Sequence, residues 1–82
     1  MMEEDVVHRM LHQLYRIACD LKYYSNKMYV AYTLYKSAKD SEEVLYYRSI
    51  IEDYLKRALD KAYDATEVVR SIMDILLKVR EK

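Results

Sequence analysis

A chain of 82 residues that contains neither glycine nor proline has few ways to reverse direction. Glycine supplies the positive φ of tight turns, and proline presets turn and edge-strand geometry. Sheets joined by many turns are hard to build without either. One or two reversals can be made from Asp, Ser and Asn, whose side chains hydrogen-bond the local backbone. Few turns mean few elements, and each must be long.

Apolar spacing identifies those elements as helices. In the first half, apolar residues fall at Val7, Met10, Leu14, Ile17, Leu21, Tyr24, Met28, Ala31, Tyr35 and Ala38, with steps alternating between three and four. That is the heptad spacing of a bundle seam. The pattern breaks at Lys39-Asp40-Ser41-Glu42-Glu43. Asp40 followed three residues later by Glu43 fits a capping box, and Glu42 and Glu43 suit the positive end of a new helix. Beyond the break the seam resumes at Val44, Tyr47, Ile51, Leu55, Ala58, Ala62, Ala65, Val69, Ile72, Leu76 and Val79. Two successive steps of four, from Tyr47 to Leu55, form a local stutter of the kind bundles accommodate.

Facing residues of an antiparallel hairpin have numbers with a nearly constant sum. Ala38 with Val44, Tyr35 with Tyr47, Ala31 with Ile51, Tyr24 with Ala58 and Ile17 with Ala65 give 82. Met28 with Leu55, Leu21 with Ala62, Leu14 with Val69 and Val7 with Leu76 give 83. The large Tyr24 and Leu21 would face the small Ala58 and Ala62, a size match that fills a core. The predicted fold is therefore all-α: one helical-hairpin domain over residues 1–82, with helix 1 over about 3–39, a turn at about 39–41 and helix 2 over about 42–80.

Each helix would be roughly 50 Å long, and a lone hairpin of that shape has much surface for its volume. Its apolar stripe is also wider than one seam needs. Val6, Leu11 and Ala18 flank the seam on helix 1, and Ile50, Leu59, Val68, Met73, Ile75 and Leu77 flank it on helix 2. A broad stripe suits a helix with two neighbours, so a homodimeric four-helix bundle is expected. The competing reading breaks helix 1 at Ser25-Asn26, with Asn26 capping a new helix, to give a three-helix monomer.

Fourteen basic and fourteen acidic residues cancel, which removes the bulk-charge argument for a nucleic-acid or anionic-membrane binder. Charged residues are nonetheless 34% of the chain, while Gln13 and Asn26 are its only side-chain amides. That balance is a pattern of hyperthermophile proteins and predicts a hot-growing host, archaeal or a virus of one. The single cysteine, Cys19, excludes an intramolecular disulfide framework. MMEEDVVHRM has no apolar run of leader length, and no stretch reaches the ~20 apolar residues of a bilayer span. A cytoplasmic protein that does not enter membranes is expected.

Catalytic and metal chemistry find little support. His8 and His12 share a helix face at the spacing of a two-histidine metal site, but the heptad points both to solvent. Asp5-x-x-His8 has the carboxylate-x-x-His spacing of di-iron bundles, which need inward-facing carboxylates and a second such element; the sequence has neither. Cys19 lies two turns from His12, ~10 Å, too far to share a metal. Arg16 lies one turn from Cys19, and no histidine lies near enough to activate it as a thiolate. The carboxylate pairs Glu3-Glu4, Glu42-Glu43 and Glu52-Asp53 are adjacent in helices and so point apart. No catalytic residue, metal ligand or cofactor is assigned, and an enzyme is not expected.

The most unusual stretch is Lys22 to Lys39, with four lysines, five tyrosines and no acidic residue. Tyr15, Lys22, Tyr29 and Lys36 recur every seven residues as an outer stripe on helix 1, with Lys27 nearby. Tyrosine gives a large contact area at low entropic cost, and basic groups interleaved with aromatics suit phosphates and unpaired bases. An ordinary solvated face, with tyrosine standing in for the absent phenylalanine, accounts for the same residues. The expected function is a structural or adaptor protein acting on itself and an unidentified protein partner. RNA or DNA binding through the Tyr/Lys face is the second expectation.

Two likenesses bear on these expectations. In its predicted architecture the chain resembles the plasmid copy-control RNA-binding proteins, small dimeric hairpin bundles, though no motif connects them and fold does not imply function. Ala31-x-x-Leu34-Tyr35-x-x-Ala38 and Tyr54-Leu55-x-Arg57-Ala58 resemble pieces of the microtubule-interacting-and-trafficking domain, a three-helix module. The segment between them is too short for that domain's second helix, so none of its partners or binding residues is carried over.

Overall fold

The structure, a computed structural model, describes residues 2–81, with side chains described from Asp5 to Lys78. Helix α1 spans Met2–Ser37 and helix α2 spans Ser41–Glu81, and the two pack together as a hairpin. Helix α1 runs unbroken through Ser25 and Asn26, so the three-helix alternative does not hold. Both residues are exposed, while Leu21, Tyr24, Met28 and Ala31 on either side are shielded by α2. Burial of that edge outweighs the few tenths of a kcal/mol per residue by which Ser and Asn disfavour a helix.

The turn is built without glycine and without a positive φ at any described residue. Helix α1 stops at Ser37, and the Ala38 N–H donates to Tyr35 O at 3.2 Å, three residues back rather than four. Ser37 Oγ donates to Thr33 O at 3.4 Å and to Leu34 O at 3.3 Å, the second being a carbonyl that the helix end leaves unpaired. Asp40 then caps α2: its Oδ1 accepts from the Glu43 N–H at 2.9 Å and its backbone oxygen from the Val44 N–H at 3.1 Å. Glu43 Oε2 reaches back to accept from the Lys39 N–H at 3.3 Å. In a capping box the donor would be Asp40 itself, so the reciprocal bond is displaced by one residue.

The shielded positions of α1 are those of the predicted seam from Val7 to Tyr35, with Val6 and Asp20 beside it, and Ala38 continues the row into the turn. Those of α2 are Val44, Tyr47, Ile51, Tyr54, Ala58, Lys61, Ala65, Val68, Ile72 and Ile75, flanked by Ile50 and Ser71. Six of the expected α2 positions are confirmed, but Leu55, Ala62, Val69 and Leu76 are exposed, and their places are taken by the residue immediately before each. Val79 lies outside the described side chains. The stutter disappears, and the two rows form ten layers whose facing numbers all add to 82. Ile17, Val68 and Ile72 are the best buried cluster, packed against Val7, Met10, Leu14, Leu21 and Ala65.

Side-chain chemistry explains the displaced positions. Lys61 lays its alkyl stem along the seam and carries its ammonium out to Asp20 Oδ2 at 3.2 Å. Tyr54 packs its ring among Tyr24 and Tyr23, with centroids 5.7 and 6.4 Å away, and Arg57 lies 5.4 Å from the same ring. A reading that ranks residues by apolarity chooses Ala62 over Lys61 and Leu55 over Tyr54; long amphipathic side chains reverse that ranking.

The hairpin measures 63 × 14 × 13 Å, with a radius of gyration of 18.5 Å, where about 12 Å is usual for a chain of this length. Ile17→Ala is expected to reduce the unfolding free energy by about 3 kcal/mol through cavity formation. Asp40→Ala should cost about 1 kcal/mol through loss of the cap. Urea denaturation followed by circular dichroism reads both, and an Ile17→Ala chain as stable as the parent would contradict this seam.

Candidate interaction surface

Two broad flanks run along the hairpin, one on each side of the seam. The first is fixed by contacts that cross between the helices: Asp20 with Lys61, and Tyr23 with Tyr54. Near the turn it holds an open groove of about 380 Å³ lined by Lys27, Val30, Ala31, Leu34, Tyr46, Tyr47 and Ile50. Further along α2 it becomes acidic, with Asp53, Asp60, Asp64, Glu67 and Asp74 all exposed. Arg57 pairs with Asp53 at 3.2 Å and Arg70 with Glu67 at 3.7 Å. Such exposed pairs each contribute about 0.5 kcal/mol or less.

The opposite flank carries the four residues displaced from the seam. On α2 they join Leu59, Thr66 and Met73 to make a ladder: Leu55, Leu59, Ala62, Thr66, Val69, Met73, Leu76. Its steps alternate four and three without a break, and every rung is exposed, from 40% at Val69 to 65% at Leu59 among its large side chains. No rung is charged. Thr66 is the only polar one, and its hydroxyl donates to Ala62 O at 3.0 Å, which leaves its methyl group as the free end. Arg48 and Glu52, paired at 3.1 Å, close the ladder toward the turn. This is the spacing of a bundle seam, and nothing among the described residues covers it.

The same flank of α1 carries Leu11, Tyr15, Ala18, Lys22, Ser25, Tyr29, Tyr32 and Lys36, again at steps of four and three. Four of the five residues singled out in the sequence, Tyr15, Lys22, Tyr29 and Lys36, therefore share one exposed stripe, with Tyr29 77% accessible. Lys27 does not belong to it. At 100° per residue it lies about 140° round the helix, beside the aromatic groove. Its ammonium sits 5.4 Å from the Tyr23 ring, and Lys36 sits 5.3 Å from the Tyr32 ring, each a cation–π contact one turn apart. Tyr32 in turn stacks on Tyr35 at 6.0 Å. Part of the basic character of this segment is thus spent on its own tyrosines.

The ladder was the feature missed in the sequence, where four of its rungs were assigned to the hairpin seam. Its signal is nonetheless there: constant sums of 82 through Tyr54 and Lys61 would have released Leu55 and Ala62 to the outside.

His8, His12 and Cys19 are exposed on α1. Among the described residues no three His, Cys, Asp or Glu side chains are grouped to hold a metal ion, and no helix is long and apolar enough to cross a membrane. Comparison with protein-family models, curated proteins and solved structures found no match for this chain.

Cys19 gives a check on which parts of α1 are uncovered. Its thiol is expected to react completely with an aromatic disulfide reagent in native buffer, and Cys19→Ser should change stability by less than about 0.5 kcal/mol. Reaction only after unfolding would place Cys19 beneath another surface.

Proposed function

We propose that this chain is a small non-enzymatic scaffold or adaptor that acts through macromolecular contacts and self-associates into a four-helix bundle. The observation that carries the proposal is the uncovered ladder on α2. A hairpin needs one seam per helix; α2 has two, and a side chain such as Leu59 gains about 1.5–3 kcal/mol from full burial. The surface area points the same way. The chain exposes 7055 Å², whereas about 5,200 Å² is usual for a monomer of 9.9 kDa. The excess, about 1,850 Å², is the size of the surface a protomer buries in an obligate homodimer.

Sedimentation equilibrium should return twice the chain mass of 9.9 kDa at micromolar concentrations. Leu59→Lys, at the most exposed large rung of the ladder and outside the hairpin seam, should give a helical species of single mass. A parent chain that sediments as a monomer at 100 μM would refute self-association. For the adaptor role, the exposed Tyr15 and Tyr29 supply the contact area. Affinity capture from host lysate is expected to retain a second macromolecule that Tyr15→Ala/Tyr29→Ala releases while the dimer persists. Recovery of the chain alone overturns that half of the proposal.

A second reading, RNA or DNA binding, is favoured by the exposed Lys22, Tyr29 and Lys36 at intervals of seven and by the lack of acidic residues from Lys22 to Lys39. It predicts retention on heparin at low salt, a steep loss of binding as salt rises, and abolition by Lys22→Glu/Lys36→Glu. Elution in the void at low salt eliminates it.

A further inference from the structure

Resting on the self-association proposed above, we infer that the dimer is built on α2 against α2 of a second copy, antiparallel, with the two-fold axis between Ala62 and Thr66. Three observations select this occupant and this register.

The first is apolar continuity. The α2 ladder has no charged rung from Leu55 to Leu76, whereas the matching stripe of α1 is interrupted by Lys22, Ser25 and Lys36. Pairing the ladder with the partner's α1 would set lysines against leucines. Pairing it with itself sets the rungs from Leu55 to Met73 against uncharged rungs and leaves Leu76 alone opposite Glu52, at the edge of the contact.

The second is register. In an antiparallel seam, rungs of the two alternating rows face each other, so the permitted registers lie seven apart in summed residue number. With the axis between Ala62 and Thr66, Leu55 meets the second copy's Met73, Leu59 meets its Val69, and Ala62 meets its Thr66. The smallest rungs then lie at the axis, where the two helices can approach most closely, and larger ones fill the space to either side. Moving the axis one register toward the turn would set Arg48 and Glu52 against Met73 and Val69. Thr66 brings no unsatisfied hydroxyl to the axis, because it is already bonded to Ala62 O at 3.0 Å.

The third is charge. The opposite flank of α2 presents Asp53, Asp60, Asp64, Glu67 and Asp74, so association through that side would bring carboxylates together. The ladder side has no such row.

The geometry has a measurable consequence. With the axis near position 64 and the turn near position 41, at 1.5 Å per residue, the two turns lie at opposite ends of the bundle, about 70 Å apart. In the alternative bundle, where each α2 packs on the partner's α1, both turns sit at one end within about 20 Å. In a Cys19→Ser background, Lys39→Cys labelled with a spin or fluorescent probe reports the turn-to-turn separation. Tyr63→Cys, exposed beside the ladder and close to the axis, reports proximity through cross-linking with a short bis-maleimide. A separation near 70 Å together with efficient Tyr63→Cys cross-linking is expected. Turns within about 30 Å of each other in a species of dimer mass would overturn the α2–α2 contact and leave self-association standing. A monomer mass for the labelled chains and the parent alike would overturn both.

Discussion

The rotation of α2 about its own axis is the constraint on which the rest of the molecule depends. The helix has two apolar edges, and burying either against α1 would satisfy a simple hydrophobic count. They differ by about 50° of rotation, the angle between a seam that alternates through Tyr54 and Lys61 and one that alternates through Leu55 and Ala62. The structure takes the first. A lysine stem and a tyrosine ring can fill a seam provided that their polar ends escape, and Asp20, Tyr23 and Tyr24 wait on that side to receive them. The purely apolar edge is left facing outward. Exchanging the edges would trade Val68 for Val69 and Ile75 for Leu76 at little cost while returning Lys61 to water, so apolar burial alone does not select the observed rotation.

The turn shows how the same rotation is enforced without glycine. A left-handed residue at the end of α1 would let the chain leave in many directions. Here Ala38 closes with a three-residue bond to Tyr35, and Asp40 and Glu43 hold the start of α2 from both sides. Only Ala38, Lys39 and Asp40 lie between the helices. A connection this short fixes which face of α2 first meets α1, and the alternation of three and four then carries that choice for some 60 Å.

Long elements and their antiparallel pairing were legible in the sequence because they rest on absences and periods: no glycine, no proline, and steps of three and four. The α1 seam was legible residue by residue. Four of the ten α2 seam positions were not: Tyr54 and Lys61 each compete with a more apolar neighbour one position later, and Val68 and Ile75 with one of equal apolarity. Hydrophobicity ranks single residues, whereas a seam selects side chains by where their ends can go. The same error hid the ladder, since residues assigned inside are unavailable outside. The Tyr/Lys stripe was legible as spacing, but the cation–π contacts of Lys27 and Lys36 depend on rotamers that spacing does not reveal.

The two halves of the hairpin differ in composition. The half far from the turn holds the best buried cluster, Ile17, Val68 and Ile72, and on its outer side most of the uncovered ladder. The half near the turn is aromatic, with Tyr23, Tyr24 and Tyr54 clustered, Tyr46 and Tyr47 5.2 Å apart, and Tyr29 and Tyr32 exposed beside Lys36. In the antiparallel α2–α2 dimer proposed above, the near-turn half of each hairpin would lie against the far half of the other, and the two turns would stand at opposite ends of the bundle. The aromatic and basic residues around each turn would then be repeated about 70 Å apart, an arrangement that suits bridging two partners better than enclosing one site.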